Sequence, residues 1–309
     1  MKVNGKVYRN VNNSRGSAHT KGDILFYVLV LIIPIAQICI FYFGVNFRNI
    51  LMAFQRQDLT NFEQPYSWST INFKLFANDI KDKTFWTMVG DSFLVWLCTQ
   101  FAGTVMALFF SYYVYKRKTL YRIFKFVLFL PSIIPALLLV LIFTKFTSEA
   151  VPTFLHTEHD LLTDSKTYFW VVTIFSIWIS FGSQVLVYSG AMNQIPTEVL
   201  EAGKLDGVTP FREFISLVVP YILPTVGTFL IAGVATIFTN QLNLFSFFGE
   251  GVPGMDKTIG YYLYILVAAP SASSIHYCYA AFLGLLSTLV AVPLTFAVRK
   301  LVSKWGGQR

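Results

Sequence analysis

The stretch EVLEAGKLDGVTPFREFISLVVP at 198–220 has four acidic residues, two basic residues, two glycines and two prolines. It lies between two strongly apolar stretches of the sequence. Carboxylates and cationic groups gathered on a short polar segment suit ion pairs and charge-assisted hydrogen bonds with another protein. The same composition also suits a solvated connector at a membrane surface. The first chemistry that the residue types indicate is therefore recognition at a polar surface.

Catalytic, nucleotide and metal chemistry have little support in the sequence. His156 and His159 are close together, but no cysteine or third ligand lies near them, so no metal site is predicted. The sequence has no GxxxxGK[ST] loop to cradle phosphates. The three cysteines all fall inside apolar stretches and form no CxxC pair. The chain is predicted to be no enzyme, with no metal and no cofactor of its own.

The composition predicts an all-α membrane protein. Of the 309 residues, 55% are hydrophobic and 13% are charged, whereas a soluble domain has about 25% charged residues. Six apolar runs are long enough for a helix to cross a bilayer, which takes about 20 residues. The predicted spans cover 24–45, 85–115, 121–145, 168–190, 219–243 and 277–300.

The distribution of Lys and Arg predicts the orientation in the membrane. Sixteen of the 24 Lys and Arg residues lie in the N-terminal tail, the 116–125 loop, the 191–218 loop and the C-terminus. Because cytoplasmic loops collect these residues, both termini and the 191–218 loop are predicted to be cytoplasmic. The same bias accounts for the net charge of +8 without a nucleic-acid partner. The predicted organisation is a basic tail over 1–22 and one membrane domain over 23–309.

The residues around 198–214 predict two short helices joined by a turn. Thr197 is a suitable N-cap for the first helix, whose opening turns contain acidic side chains. Gly207 allows the left-handed conformation that ends a helix. Thr209 and Pro210 have the types expected at the cap and first position of a second helix. An interfacial connector would have the same local structure.

Uncharged polar residues in the predicted spans are candidates for a substrate pathway, because such residues tend to face the bundle or water. The spacing of Asn240 and Asn243 places both on one face of the fifth predicted span. Amides and aromatic rings suit sugar hydroxyls, but hydrogen bonding between helices favours the same residue types. The candidate pathway comprises Asn240, Gln241, Asn243, Phe245, Ser183, Gln184 and Tyr277, with Ser180 beside them.

The order of residues in the 198–220 stretch resembles the EAA signature of membrane permeases from binding-protein-dependent ATP-binding-cassette importers. In that signature Glu-Ala-Ala is followed by a short spacer, a glycine, a longer spacer and Ile-x-Leu-Pro. Here Glu201, Ala202 and Gly203 begin the pattern, Gly207 follows, and LVVP at 217–220 ends it. Gly203 stands where the signature has its second alanine, and a glycine there should loosen the helix a little.

The resemblance covers nearly the whole chain and is closest to the carbohydrate branch of these permeases. FKFVLFLPSIIPALLLVLIF at 124–143 resembles the third span of that branch. TNQLNLFSFFGEGVPG at 239–254 and KTIGYYLYI at 257–265 resemble the segments after its fifth span. The matches occur in the family's order along the chain.

The resemblance implies a type I importer permease bundle of six transmembrane helices, in a bacterial cell membrane, with 198–214 as a coupling helix. The implied partners are a second permease subunit, two cytoplasmic ATPase subunits that bind ATP and Mg, an extracellular solute-binding protein, lipid and a carbohydrate cargo. Glu201 is implied as the polar contact to the ATPase or as a helix cap, and Gly207 as the turn. The implied coupling residues are Glu198, Glu201, Ala202, Gly203, Asp206, Gly207 and Phe211.

Two alternatives to a sugar importer remain open at this point. The first is a permease of the same kind that moves a non-sugar solute. The second is an ion-coupled carrier, a class that usually needs ionisable residues inside its spans. The predicted spans contain few such residues, of which Asp91 lies near the start of the second span and Lys145 at the end of the third, so the second alternative has little support.

Overall fold

The computed structural model describes residues 21–57, 66–155, 160–268 and 274–306. Over these ranges the chain is helical apart from one antiparallel pair of short strands and the connecting turns. This architecture confirms the predicted all-α class. The chain separates into two compact units between residues 51 and 52, and each is described by itself. The predicted division into a tail and one membrane domain stays a prediction.

The first unit is a single helical run, in which a π-helical segment interrupts α geometry. Its elements are α1 (Lys21–Gln37), the π segment Ile38–Val45 and α2 (Asn46–Met52), which ends at the unit boundary.

The second unit contains the strands and the remaining helices. Its elements are β1 (Gln55–Gln57), β2 (Tyr66–Trp68), α3 (Ile71–Asp79), α4 (Lys83–Tyr115), α5 (Tyr121–Ile133), α6 (Ala136–Lys145), the π segment Phe146–Ala150, α7 (Val151–Leu155), α8 (Tyr168–Met192), α9 (Thr197–Leu205), α10 (Pro210–Glu213), the π segment Phe214–Val218, α11 (Val219–Ala235), α12 (Leu244–Phe248), α13 (Ile259–Ala268) and α14 (Ser274–Gly306).

Six helical segments of the described residues are long and apolar enough to cross a membrane, which confirms the predicted number of spans. Three of the predicted spans are wrong in extent: the first continues past residue 45 to Met52, the third is broken into two helices, and the fifth begins and ends at earlier residues. The six segments are Leu25–Met52, Lys83–Tyr115, Ala136–Phe154, Tyr168–Met192, Pro210–Ala235 and His276–Lys304.

The third predicted span, 121–145, is two helices rather than one. α5 ends at Ile133, the backbone of Ile134 is extended, and α6 begins after Pro135. Proline disfavours helical geometry at the residue before it, which accounts for the break at Ile134. The apolar segment long enough to span therefore begins at Ala136 and continues through a π segment to Phe154.

The fifth span begins and ends at earlier residues than the predicted 219–243. α11 stops at Ala235, and turns follow until α12 starts. Leu242 and Asn243 have φ of 56° and 59°, in the left-handed region that ends regular helix. The prediction that Asn240 and Asn243 share a helix face is therefore wrong. At the other end, the helical run extends back through the π segment to Pro210.

β1, β2 and α3 form a small cap on α14, with which β1 and α3 are in contact. Buried Asn72 holds the cap together, since its amide donates to the carbonyl oxygens of Ala53 at 2.8 Å and Gln55 at 3.1 Å. At the start of α4 the Asp82 carboxylate accepts hydrogen bonds from the backbone and hydroxyl of Thr84, which lower the pKa of Asp82. This N-cap fixes where α4 begins.

α4 and α14 are the two longest helices of the second unit. α4 packs mainly against α8. At about 1.5 Å per residue, its 33 residues extend about 50 Å. Its buried side chains belong to three separate apolar clusters along the helix, of which Phe85, Val95 and Ala107 are examples. α4 is therefore a common support for regions that lie far apart in the fold.

Candidate functional site

The α9–α10 segment, residues 197–214, has the two-helix structure that the sequence predicts. α9 ends in a Schellman motif, in which Val208 N–H donates to the Gly203 carbonyl at 3.0 Å and Gly207 N–H to the Lys204 carbonyl at 3.1 Å. Gly207 has a φ of +71°, which confirms that it is the turn residue. Because L-residues with side chains rarely adopt this conformation, glycine is needed here.

The predicted cap of α9 is wrong by one residue. Thr197 is the first helical residue, and Pro196 occupies the cap position with a ψ of 135°. Proline has no side-chain acceptor for the helix amides, so this end of α9 has no side-chain cap. For α10 the prediction is confirmed, because Thr209 is extended and Pro210 is the first helical residue. α10 then continues through the π segment into α11 without a break.

One face of the α9–α10 segment is exposed and mixes charged and apolar side chains. Leu205 is 90% exposed and Phe211 is 64% exposed, although both are large hydrophobic residues. Exposed apolar groups with charged neighbours are typical of surfaces that bind another protein. Of the residues that the EAA resemblance implies for coupling, the exposed ones are Glu198, Glu201, Ala202, Asp206, Gly207 and Phe211.

Gly203 differs from the other implied coupling residues because it is buried. A Cβ atom built on it would lie 2.8 Å from Cδ1 of Leu217, which is closer than real contacts allow. Gly203 and Leu217 are thus neighbours in space, and both depart from the EAA signature. The leucine side chain fills the space that the signature's second alanine would need.

A second candidate site is a cavity of about 150 Å³ whose walls come from α4, α8, the end of α11 and the turns that follow it. We call it the polar cavity, because most of its lining residues have polar side chains. No charged residue is among them. The lining residues are Ser92, Val95, Trp96, Thr99, Gln100, Ser176, Ser180, Gln184, Gly233, Thr236, Ile237, Asn240 and Thr258.

Three buried polar atoms of the polar cavity have no hydrogen-bond partner among the described residues. They are the indole nitrogen of Trp96, the hydroxyl oxygen of Ser176 and the amide oxygen of Gln184. An unpaired buried polar group costs about 1–3 kcal/mol. The indole N–H is a donor, the amide oxygen is an acceptor and the serine hydroxyl is both. The cavity can therefore offer both donors and acceptors of hydrogen bonds to water or to a neutral ligand.

Gly233 lets α11 approach α4 at the polar cavity. A Cβ atom at this position would lie 2.1 Å from Oε1 of Gln100 and 3.4 Å from the indole nitrogen of Trp96. The space over Gly233 is thus occupied by the polar ends of two side chains from α4. A residue larger than glycine would displace them and change the wall of the cavity.

Three of the predicted pathway residues line the polar cavity, namely Asn240, Gln184 and Ser180. Asn240 also supports the turn after α11, because its Oδ1 accepts from Leu242 N–H at 2.9 Å. Its carbonyl oxygen accepts from the hydroxyl of Thr258, also at 2.9 Å. The amide of Asn240 is thus part of the local fold as well as of the cavity wall.

The other predicted pathway residues lie outside the polar cavity. Ser183 is exposed and donates to the carbonyl of Ser180 on its own helix, and Tyr277 is 40% exposed on α14. Asn243 stands immediately before α12, and Phe245 packs against Tyr264 with ring centroids 4.9 Å apart. The buried Oε1 of Gln241 has no hydrogen-bond partner in the described chain.

Polar residues of α4 were not predicted for the cavity, although the sequence contains a signal for them. Ser92, Trp96, Thr99 and Gln100 follow each other at helical spacing within an otherwise apolar span. Such a stripe is expected to face the bundle or water rather than lipid. Ser92 also holds the base of α13, since its hydroxyl accepts from Ile259 N–H at 2.9 Å.

The ionisable residues near span ends have local partners. Asp91 accepts from Lys257 N–H at 3.2 Å, and Lys145 forms an ion pair with Glu149 at 2.8 Å. Among the described residues, no group of three His, Cys, Asp or Glu side chains is placed to hold a metal. His156 and His159 lie outside the described residues.

Comparison with known proteins identifies two relatives with sugar transport in their names. The chain is 28% identical over 136 residues to the diacetylchitobiose uptake system permease protein DasB of Streptomyces coelicolor, covering 44% of this chain and 40% of that protein. It is 25% identical over 162 residues to the maltose/maltodextrin transport system permease protein MalF of Klebsiella aerogenes, covering 50% and 31% respectively. The matched part thus spans less than half the length of either relative.

The fold also has a match among solved structures. A chain of a bacterial ABC transporter involved in the import of the acidic polysaccharide alginate has a TM-score of 0.71 to this chain. The two are 17% identical, and the match covers 92% of this chain and 96% of the other. This likeness confirms the type I importer permease bundle. The sequence pattern of one family, "Binding-protein-dependent transport system inner membrane component", matches residues 101–306.

Proposed function

Because the chain belongs to the family of binding-protein-dependent transport system inner membrane components, we propose that it is a permease subunit of an ATP-driven importer. Its cargo is a sugar or oligosaccharide that an extracellular binding protein delivers. The complex contains a second permease subunit and two cytoplasmic ATPase subunits, which hold ATP and Mg. The protein lies in a bacterial cell membrane with both termini in the cytoplasm.

The single observation that supports this proposal most strongly is the exposed face of the α9–α10 segment. It consists of two short helices with the spacing of the EAA signature, on which Glu201, Leu205 and Phe211 are all exposed. Protein interfaces commonly combine apolar side chains at the centre with polar and charged side chains around them. The partner that fits is the ATPase subunit, since the chain has no phosphate-binding loop of its own. Glu198, Asp206 and Ala202 complete the contact surface.

The rigid connection of this segment supports its role in coupling. α10 runs without a break into α11, and α11 ends at the polar cavity. A movement that the ATPase imposes on α10 is therefore carried along a helix toward the cavity. Helices transmit such displacements because their backbone hydrogen bonds resist bending. ATP binding and cargo release are linked in this way.

The polar cavity supports a neutral, hydroxylated cargo. Its unpaired donor and acceptor atoms match sugar hydroxyls, which both donate and accept hydrogen bonds. The indole ring of Trp96 adds an aromatic surface of the kind that sugar rings pack against. No charged residue lines the cavity, so an anionic or cationic cargo has no counter-charge there. The second permease subunit supplies the rest of the pathway.

The test is reconstitution of the complete complex in vesicles, with the second permease subunit, the ATPase subunits and the binding protein. We expect ATP-dependent uptake of neutral oligosaccharides and none with an ion gradient alone. Glu201→Lys should lower uptake at least about tenfold, equivalent to about 1.4 kcal/mol of lost contact. Its insertion into the membrane should be unchanged, because Glu201 is exposed.

The matched control is Glu149→Lys, which makes the same charge change at another exposed acid. The side chain of Glu149 is 67% exposed near the end of the Ala136–Phe154 segment, and its ion pair with Lys145 is local to that helical run, so this change leaves the α9–α10 segment intact. Uptake should therefore stay near the unmodified level. Full uptake by Glu201→Lys would contradict the coupling role, and uptake driven by an ion gradient without ATP would indicate a carrier instead.

A further inference from the structure

Glu213 is the one acidic or basic residue among the buried residues of the described chain, in the sense of Asp, Glu, Lys, Arg and His. It is the last residue of α10, and its carboxylate forms an ion pair with Lys116, which directly follows α4. The acid side chain is 8% exposed and the lysine side chain 24% exposed. Sequence patterns did not single out this pair, because its members are far apart in the chain and each lies in a stretch that is otherwise solvated.

The surroundings of the pair fix both partners. The ammonium of Lys116 lies 5.5 Å and 5.8 Å from the ring centroids of Tyr112 and Tyr115, within the range of cation–π attraction. Lys116 also caps the C-terminus of α4, where a positive charge is favourable. The hydroxyl of Tyr112 donates to the Pro210 carbonyl at 3.1 Å, which adds a second polar link to α10.

Aromatic packing completes the contact. Phe214, immediately after Glu213, stacks on Phe109 of α4 with centroids 5.1 Å apart and lies 4.9 Å from the ring of Tyr112. α10 is thus attached to α4 by an ion pair, a hydrogen bond and two ring contacts. We call this contact the α4–α10 joint, comprising Phe109, Tyr112, Lys116, Glu213 and Phe214.

The position of the joint on α4 connects it with the polar cavity. Gln100, which lines the cavity, lies 16 residues before Lys116 on the same unbroken helix, or about 24 Å at 1.5 Å per residue. α4 therefore has the joint at one end and the cavity wall farther along. This route is separate from the direct one through α11.

We propose that Glu213 and Lys116 are positioning residues that make α4 move with the α9–α10 segment, so that both walls of the polar cavity move when the ATPase moves that segment. The inference rests on the proposed function, since it concerns how coupling reaches the cavity. A buried ion pair is weak evidence for stability, because a protein with apolar residues of similar volume in its place is often equally stable or more stable. Its distinctive contribution is the orientation of two elements relative to each other.

The experiment uses the reconstituted complex with Glu213→Gln and, separately, Lys116→Met. We expect ATP hydrolysis close to the unmodified rate, because the exposed docking face is intact. We expect the number of cargo molecules taken up per ATP hydrolysed to fall at least about fivefold, about 1 kcal/mol of coupling. The charge-exchanged double variant Glu213→Lys with Lys116→Glu should recover most of that ratio. Lys118→Met, an exposed lysine of the same loop, is the matched control.

A second measurement does not depend on transport. Hydrogen exchange of the backbone amides at 209–216 should be faster in Glu213→Gln than in the unmodified complex, and unchanged in Lys118→Met. Unchanged hydrogen exchange in Glu213→Gln would overturn the proposal. It would also be overturned if complex assembly, ATP hydrolysis and uptake were lost together and the double variant recovered none of them. If the unmodified complex moves no sugar, the proposed function fails, while the exchange result still decides whether the joint exists.

Discussion

The α9–α10 segment and the polar cavity differ in how the sequence encodes them. The segment is contiguous, and its turn and second helix depend on Gly207, Thr209 and Pro210, which are neighbours in the chain. The cavity is assembled from α4, α8, the end of α11 and Thr258. The segment presents exposed side chains to a partner, whereas the cavity holds buried polar atoms without partners.

The difference teaches that the two sites respond differently to substitution. A contiguous surface is changed by altering one exposed contact, and its fold hardly responds. A cavity between packed helices is changed by altering the approach of its walls, so volume matters as much as polarity. Three predictions test this contrast, beginning with the largest expected effect.

Gly233→Val should have the largest effect, because it moves a wall of the polar cavity. The new side chain would occupy the place of the Gln100 amide and reach toward the Trp96 indole. Overpacking of this kind costs about 1–3 kcal/mol, which corresponds to about 5- to 150-fold in a rate or affinity. We expect uptake by the reconstituted complex to fall by that factor, measured per inserted protein.

The matched control is Gly190→Val, the same substitution in α8. A Cβ atom at Gly190 would have no atom within 4 Å, and this residue is exposed. Uptake should therefore change little. Equal losses in both variants would mean that the close approach at Gly233 has no special role, and the contrast between the two sites would break down.

Gln184→Leu should have an intermediate effect. It should leave the stability of the protein unchanged or raise it, while it weakens transport of the cargo. The substitution removes a buried amide oxygen that has no partner, so the free energy of unfolding should be unchanged or rise. The half-saturating cargo concentration should rise about threefold to tenfold, the effect of one hydrogen bond of about 1 kcal/mol. Transport kinetics and thermal unfolding in detergent measure the two quantities.

Ser183→Ala is the control next to it in sequence. Ser183 is exposed and hydrogen-bonds only along its own helix, so neither quantity should move. A similar rise in the half-saturating concentration for both variants would show that adjacent residues of α8 act alike. In that case the polar cavity would not define the cargo pathway.

Gly203→Ala should have the smallest effect, confined to the packing beneath the docking face. Alanine favours a helix over glycine by about 1 kcal/mol, but the new methyl group would displace Leu217. We expect these contributions to offset each other within about 1 kcal/mol. Combining Gly203→Ala with Leu217→Val, which removes the interfering Cδ1, should raise the unfolding temperature above that of either single variant. Additive effects of the two substitutions would contradict the contact.

The parts of the fold that sequence predicted are those with local physical causes. Long apolar runs must be helical in a bilayer, because backbone polar groups have no water there to bond with. Gly207 and Pro210 were predicted because their backbone restrictions act on single residues. The error at Thr197 has the same origin, since the proline before it occupies the cap position.

The parts that sequence missed depend on contacts between distant residues. α11 ends at Ala235, and the turns that follow are held by hydrogen bonds of Asn240 and Thr258, which lie 18 residues apart in the chain. The ion pair of Lys116 and Glu213 joins the end of α4 to α10, and each of these places lies in a stretch polar enough to be solvated. The polar stripe on α4 can be recognised from the helical spacing of its residues. Which residues of α8 and α11 face it depends on how those helices are rotated about their axes.

The π segment at Phe214–Val218 changes the angle about the helix axis between the side chains of α10 and those of α11. α geometry advances about 100° per residue, and a π turn inserts an extra residue without breaking the chain of hydrogen bonds. Residues before Phe214 and after Val218 are therefore out of phase with one continuous helical wheel. The insertion sets the angular difference between the buried face at Glu213 and the face that presents Gly233, so deleting one residue between them would rotate the cavity wall while leaving the docking face in place.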